Sequence, residues 1–198
     1  MVIGRRKDVW IVGHSYIYWA ERYAATSSWG RDLGLGALAH ITWKGTRGMQ
    51  WIQFNRTTAF GPSPPDVLVV HLGGNDLPRF ASKALIIDIL RDLNWLKRRY
   101  PSLRILWSNI TPRLAWRGSG RTDAVNKARR GVNKVVRRGV CGGGLGSVIY
   151  HHRIHVSNPE SFRSDGVHLS EAGLELFLED VKGGLLCELQ GLGGGHAT

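Results

Sequence analysis

The sequence predicts an α/β protein: a three-layer α/β/α sandwich built around a five-stranded parallel sheet. Three observations lead there. Short apolar runs recur along the chain, and several are apolar at nearly every position, as parallel strands buried on both faces require. Segments with helical spacing of apolar residues stand between them. Small or polar residues follow each run, where a strand gives way to a loop.

The first strand is "DVWIV" (8–12), and it leads through Gly13-His14-Ser15 into an aromatic-rich segment. The second is "ALAHITW" (37–43), followed by Lys44-Gly45-Thr46-Arg47-Gly48 and a predicted helix over "MQWIQF". The third, "DVLVVHL" (66–72), runs into Gly73-Gly74-Asn75-Asp76. A helix over "SKALIIDILRDLNWLKRRY" presents Leu85, Ile86, Ile89, Leu90, Leu93 and Leu96 as one apolar stripe, with Pro78 near its start and Pro101 at its end. The fourth strand is "LRILWSNI" (103–110). Val125, Ala128, Val132, Val135 and Val136 then fall at helical spacing, and the Gly-rich "CGGGLG" (141–146) reads as a flexible joint before the fifth strand, "SVIYH" (147–151). The last helix follows Ser170 and buries Leu174, Phe177, Leu178 and Val181. Such an alternation gives βαβ units, and hence a parallel sheet covered on both faces.

A chain of 198 residues is long enough for one core. We read 1–189 as a single domain and 190–198, "QGLGGGHAT", as a flexible Gly-rich tail. No apolar run reaches the roughly 18 residues of a membrane-spanning helix, and the basic N-terminus leads straight into the first strand. With two cysteines, Cys141 and Cys187, there is no disulfide framework or zinc-finger spacing. An intracellular setting is the expectation. The net charge of +12 favours a polyanionic partner. Much of it lies in "KARRGVNKVVRRG", where Lys127, Arg129, Arg130, Lys134, Arg137 and Arg138 can line the face opposite the apolar stripe. That face is either simply solvated or a contact for nucleic acid or an anionic membrane surface.

In a doubly wound sheet, ligands bind beyond the carboxyl ends of the strands. The residues predicted at that rim include Ser15, the Gly45–Gly48 loop, Asn75, and Asp165 and His168 of "SDGVHLSEAG". Ser15 alone could be only a helix N-cap. With the others beside it, it also fits a nucleophile whose proton His168 removes, the imidazole being supported by Asp165 three residues earlier. The Ser15 N–H, a loop glycine N–H and the Asn75 amide would then face the developing oxyanion. Asp76 reads as a cap for the following helix. The histidines of "HHRIH", His151, His152 and His155, fall on a strand end and loop without a partner spaced to complete a metal site. Trp51 and Trp116 follow rim loops and could wall a pocket, though core packing is their simpler role.

The pieces "GHS", a glycine after the second strand, "GGND" and "DGVH" resemble, in order, the four sequence blocks of the SGNH hydrolases, also called GDSL-type esterases. The resemblance spans 9–180. It implies a flavodoxin-like (SGNH hydrolase) topology and a serine esterase with Ser15, Asp165 and His168 as catalytic triad. It further implies an oxyanion hole of Ser15, Asn75 and a glycine, for which Gly48 fits best and Gly45 is the alternative. It implies no cofactor and no metal. The sequence departs from the family at His14, where an Asp is usual, so a turn-stabilising carboxylate is missing. The chain also resembles the esterase-like domains of vertebrate retrotransposons. The other reading is a module that keeps this fold but binds a polyanion through its basic face.

Overall fold

Five strands and four α-helices alternate over residues 5–54 and 63–191, the residues that the computed structural model describes. The order is β1 (Lys7–Gly13), α1 (Ser15–Thr26), β2 (Ala39–Gly45), β3 (Val67–His71), α2 (Ser82–Arg99), β4 (Arg104–Ser108), α3 (Thr122–Gly142), β5 (Gly146–Ile149) and α4 (Glu171–Leu189). All strand pairs are parallel, in the order β2-β1-β3-β4-β5. This is the doubly wound order in which the chain reverses direction across the sheet between β1 and β3, and a crevice opens at their carboxyl ends.

Alternation along the strands divides the core in two. Val12, Leu68, Val70, Ile105 and Trp107 face α2 and α3, while Val9, Ile11, Val69, Leu106 and Ile149 face α1 and α4. The α2 stripe packs through Leu85, Ile89, Leu93 and Leu96 as its periodicity predicts. In α3 the buried apolar positions are Val125, Val132, Val136 and Val140, and Val135 is exposed, because a straight helix turns that position away from the sheet.

Several boundaries differ from the sequence reading. The second strand starts and ends two residues later, since pairing with β1 runs from Lys7↔Ala39 to Gly13↔Gly45. The helix predicted over "MQWIQF" is a single 3₁₀ turn, Trp51–Gln53. The "CGGGLG" joint is shorter than expected: α3 continues through Gly142 and β5 begins at Gly146. Of the Gly-rich segment 190–198, residues 192–198 lie outside the described residues. Among the described residues no helix is long and apolar enough to cross a membrane.

Candidate active site

Every candidate side chain leaves the sheet at its carboxyl edge. β1 ends at Gly13, and the turn into α1 is capped by His14, whose Nδ1 accepts from the Tyr16 N–H at 3.3 Å. The imidazole thus supplies the N-terminal cap of α1. Ser15 is the first residue of the helix rather than its cap, which leaves its hydroxyl free of that task. The His14 pKa lies well below the usual value because the ring is buried, with the Arg113 and His168 charges adding to the effect. It is therefore a neutral imidazole at pH 7.

A cavity of ≈ 490 Å³ opens here, lined by Ser15, Gly48, Asn75 and His168 together with Arg47, Arg79, Arg113, Arg117, Pro78 and Val167. Four of the five predicted site residues therefore share one cavity. The fifth, Asp165, stands behind His168. Its Oδ2 is 2.6 Å from His168 Nδ1, and its Oδ1 accepts from the N–H groups of Val167 and His168, each at 2.9 Å. Burial would raise the Asp165 pKa, but these bonds outweigh it and bring the carboxyl down to about 2. It is a carboxylate at neutral pH and fixes the His168 proton on Nδ1, so that Nε2 is the nitrogen available to the cavity.

The two glycine candidates separate clearly. Gly45 ends β2 against the backbone of α1, where a Cβ would lie 2.6 Å from the Tyr18 Cα and closer still to its nitrogen. Its role is close packing. Gly48 stands in the Thr46–Met49 turn, closed by Met49 N–H to Thr46 O at 3.2 Å, with φ +76° and open space where a Cβ would be. A left-handed third position favours glycine in such a turn, and Gly48 is the one of the two that lines the cavity.

Asn75 is held from both sides. Its Nδ2 donates to Met49 O at 3.0 Å, and its Oδ1 accepts from Arg113 Nη1 and Nη2 at 3.3 and 3.4 Å. A guanidinium can only donate, so Arg113 dictates which end of the amide is oxygen and leaves the second Nδ2 hydrogen for a ligand. Asp76 does not cap the helix that follows it. Both its oxygens accept from Trp51 N–H, at 2.9 and 3.1 Å, and so tie the Gly48 loop to the β3 loop. Burial raises its pKa. Trp51 and Trp116 are core residues. A slightly larger cavity, ≈ 540 Å³, lies beyond Trp51 and Asp76 and contains none of the predicted site residues.

Sequence reasoning missed two features. The first is Arg113, which reads as a surface residue in "TPRLAW" but is 3% exposed. The second is a buried polar row under the rim. His71 Nδ1 is 2.9 Å from Ser108 Oγ, Ser108 Oγ is 2.7 Å from His151 Nε2, and His151 Nδ1 is 3.0 Å from Asp180 Oδ2. Its signal was a polar residue closing each of three apolar strands. His151 is therefore a buried hydrogen-bonding residue, and among the described residues no group of three or more His, Cys, Asp or Glu side chains could hold a metal. On α3, Lys127, Arg130, Lys134 and Arg138 are exposed and Arg137 is half-buried. Arg129 turns inward instead. Its Nη1 donates to Ile110 O at 2.9 Å, and burial, with Arg130 nearby, lowers its pKa to about 10.

No family model and no curated protein sequence matches this chain. Its fold does match solved structures. A family 3 carbohydrate esterase from Clostridium thermocellum is 17% identical with a TM-score of 0.71, over 96% of this chain and 100% of that one. A GDSL-like lipase from Bacteroides thetaiotaomicron is 13% identical with a TM-score of 0.73, over 92% and 89%. A member of the lipolytic G-D-S-L family from Veillonella parvula is 14% identical with a TM-score of 0.64, over 89% and 96%. At these identities the likeness is one of fold.

Proposed function

We propose that this protein is a serine esterase that transfers the acyl group of a carboxylic ester to water. One observation carries the reading: Ser15, Gly48, Asn75 and His168 line a single cavity, and Asp165 bonds to the far nitrogen of His168. Ser15 Oγ attacks the ester carbonyl carbon while His168 Nε2 takes the hydroxyl proton, and Asp165 stabilises the imidazolium. The negative charge that develops on the carbonyl oxygen meets the Ser15 N–H, which the start of α1 leaves without an intrahelical acceptor, together with the Gly48 N–H and Asn75 Nδ2. Collapse expels the alcohol, which is protonated by His168. The same imidazole then activates the water that releases the acid and restores Ser15. The solved structures that share the fold include esterases and lipases, in keeping with this chemistry.

A fluorophosphonate probe tests the reading without knowledge of the substrate. Intact-mass detection is expected to find a single adduct on the wild-type protein and none on Ser15→Ala. A folded wild-type protein that stays unmodified would overturn the proposal.

The exposed basic residues of α3 support a second property in the same domain, approach to a nucleic acid or an anionic membrane surface. It also fits the mobile-element setting that the sequence resemblance implies. Its signature is an affinity that falls steeply with added salt and is unchanged in Ser15→Ala. A flat salt dependence leaves α3 a solvated face.

A further inference from the structure

We propose that the ester bears a phosphate group, bound by Arg113, Arg47, Arg79 and Arg117 beside the reacting carbonyl. The inference rests on the esterase reading for the ester and on the charge of the cavity for the phosphate.

Arg113 is the central observation. Its backbone is pinned by Asn126 of α3, whose Nδ2 donates to Arg113 O at 3.0 Å, so the side chain is directed into the site by a fixed loop. The guanidinium lies 5.4 Å from the Tyr16 ring centroid and 4.7 Å from that of Trp116, and its Nη2 would be 2.9 Å from a Cβ on Gly74. A buried guanidinium normally has a carboxylate opposite it, because an unpaired charge loses its hydration without return. Among the described residues Arg113 has no carboxylate within ion-pair distance. Its side-chain acceptors are neutral: the Oδ1 of Asn75, at the long distances of 3.3 and 3.4 Å, and the Tyr16 hydroxyl. Five donors facing two neutral acceptors leave part of the fork unused and its charge without a counter-charge of its own.

The rim repeats the pattern. Arg47 is displayed by the Gly48 turn, Arg79 by the β3 loop and Arg117 by the β4 loop, all three exposed and all lining the same cavity. Among the described residues no carboxylate lines it. Asp165 is committed to His168, with Arg117 at 3.7 Å, and Asp76, which feels the Arg79 charge, is committed to the Trp51 N–H. Arg113 and the three rim arginines gather around Ser15 with the long Arg117–Asp165 contact as their one ion pair among the described residues, and most of their charge is left for a ligand to answer.

An oxyanion that exists only during the reaction needs no such excess, since the neutral donors already face it. A carboxylate would answer one of the four charges. A phosphate monoester, with a charge near −2 and several acceptor oxygens, answers twice the charge that a carboxylate does and suits the fork geometry of the guanidinium groups. The residues do no new chemistry. They hold the phosphate, orient the neighbouring ester carbonyl toward Ser15, and make the phosphate the feature by which substrates are chosen.

Two measurements test this. Calorimetric titration of Ser15→Ala with inorganic phosphate is expected to show binding that weakens at least tenfold in Ser15→Ala/Arg113→Gln. The same is expected in Ser15→Ala/Arg47→Gln/Arg79→Gln, whose two extra changes are on the surface and leave the fold intact. Acetate release by wild-type protein is then compared between 1-acetylglycerol and 1-acetylglycerol 3-phosphate, and fatty-acid release in vesicles between phosphatidic acid and the matching neutral diacylglycerol. A preference of at least tenfold for the phosphorylated member in the soluble pair identifies a free phosphorylated ester. The same preference confined to vesicles identifies a lipid headgroup. Phosphate binding that depends on Arg113, with no ester hydrolysed and no fluorophosphonate adduct, would uphold the anion site and sink the esterase reading. Absence of phosphate binding to folded Ser15→Ala, or equal rates within both ester pairs, would overturn the proposal.

Discussion

Replacing His168 with alanine is expected to lower kcat for p-nitrophenyl acetate about 10⁴-fold or more, with the fold retained. In the proposed mechanism this ring takes the Ser15 proton through Nε2; it lines the same cavity as Ser15, and its Nδ1 is bound to Asp165 at 2.6 Å. Asp165→Asn should cost about 10⁴-fold by a different route. The asparagine Oδ1 can still accept from the N–H groups of Val167 and His168, so the loop keeps its shape. Its Nδ2 then faces His168 Nδ1 as a donor and forces the ring proton onto Nε2, where a base is needed. The double variant should be no slower than His168→Ala, because the two residues act as one unit. Steady-state rates for the three variants check this. Activity surviving in His168→Ala would mean that the base lies elsewhere.

The second large effect is on stability in acid. His14, His71 and His151 are buried, and burial holds the pKa of each below the ordinary value of 6.5, with Asp180 partly opposing the shift at His151. In the unfolded chain all three titrate near their ordinary value, about 6.5. Below that pH the unfolded state binds protons that the native state does not, so stability falls as pH falls. Each such histidine contributes a slope of about 1.4 kcal/mol per pH unit, and three together about 4, until one of them titrates in the native protein. Against a typical stability of about 5–15 kcal/mol, that slope brings the unfolding transition within a few pH units of neutrality. Asp165 adds to the loss lower down. Its stabilisation is complete above its unfolded pKa, about 3.9, and disappears as pH drops through the native value of about 2. Urea midpoints at pH 7.5, 6 and 5 are expected to fall progressively. A midpoint that stays level across this range would show that these histidines charge without cost.

Much of this was written in the residues one at a time. The strands were legible because a strand buried on both faces has little room for polar groups, as "DVLVVHL" shows. The rim residues were legible because the carboxyl end of a parallel strand is where loops begin. What escaped depends on neighbours far away in the chain. The 3₁₀ turn at Trp51–Gln53 is bounded by an acceptor 25 residues later, Asp76. The later start of β2 follows from its register against β1. His14 could be seen as a departure but not as a cap, since only geometry shows an imidazole accepting from an amide two residues on. Arg113 gave no sign at all: an arginine after a proline in a loop is ordinary on any surface, and its burial comes from Tyr16, Gly74 and Trp116, which no spacing rule connects.

The row from His71 to Asp180 also sets the whereabouts of protons. Asp180 is a carboxylate, its pKa lowered by His151 and Arg153 despite its burial, so it can only accept. The His151 proton must then sit on Nδ1, the Ser108 hydroxyl must point at His151 Nε2, and Ser108 Oγ must receive the proton on His71 Nδ1. One acid on the last helix thus writes the tautomer of a ring stacked on Tyr16, the residue after Ser15. The only vacant end of this chain of arrows is the lone pair of His71 Nε2, a buried nitrogen without a hydrogen-bond partner among the described residues. Ser108 therefore has a histidine and an aspartate in line behind it and yet is no nucleophile, for its oxygen is walled in and already answered on both sides. Ser15 differs in lining the open cavity, from which the substrate of the proposed reaction would arrive.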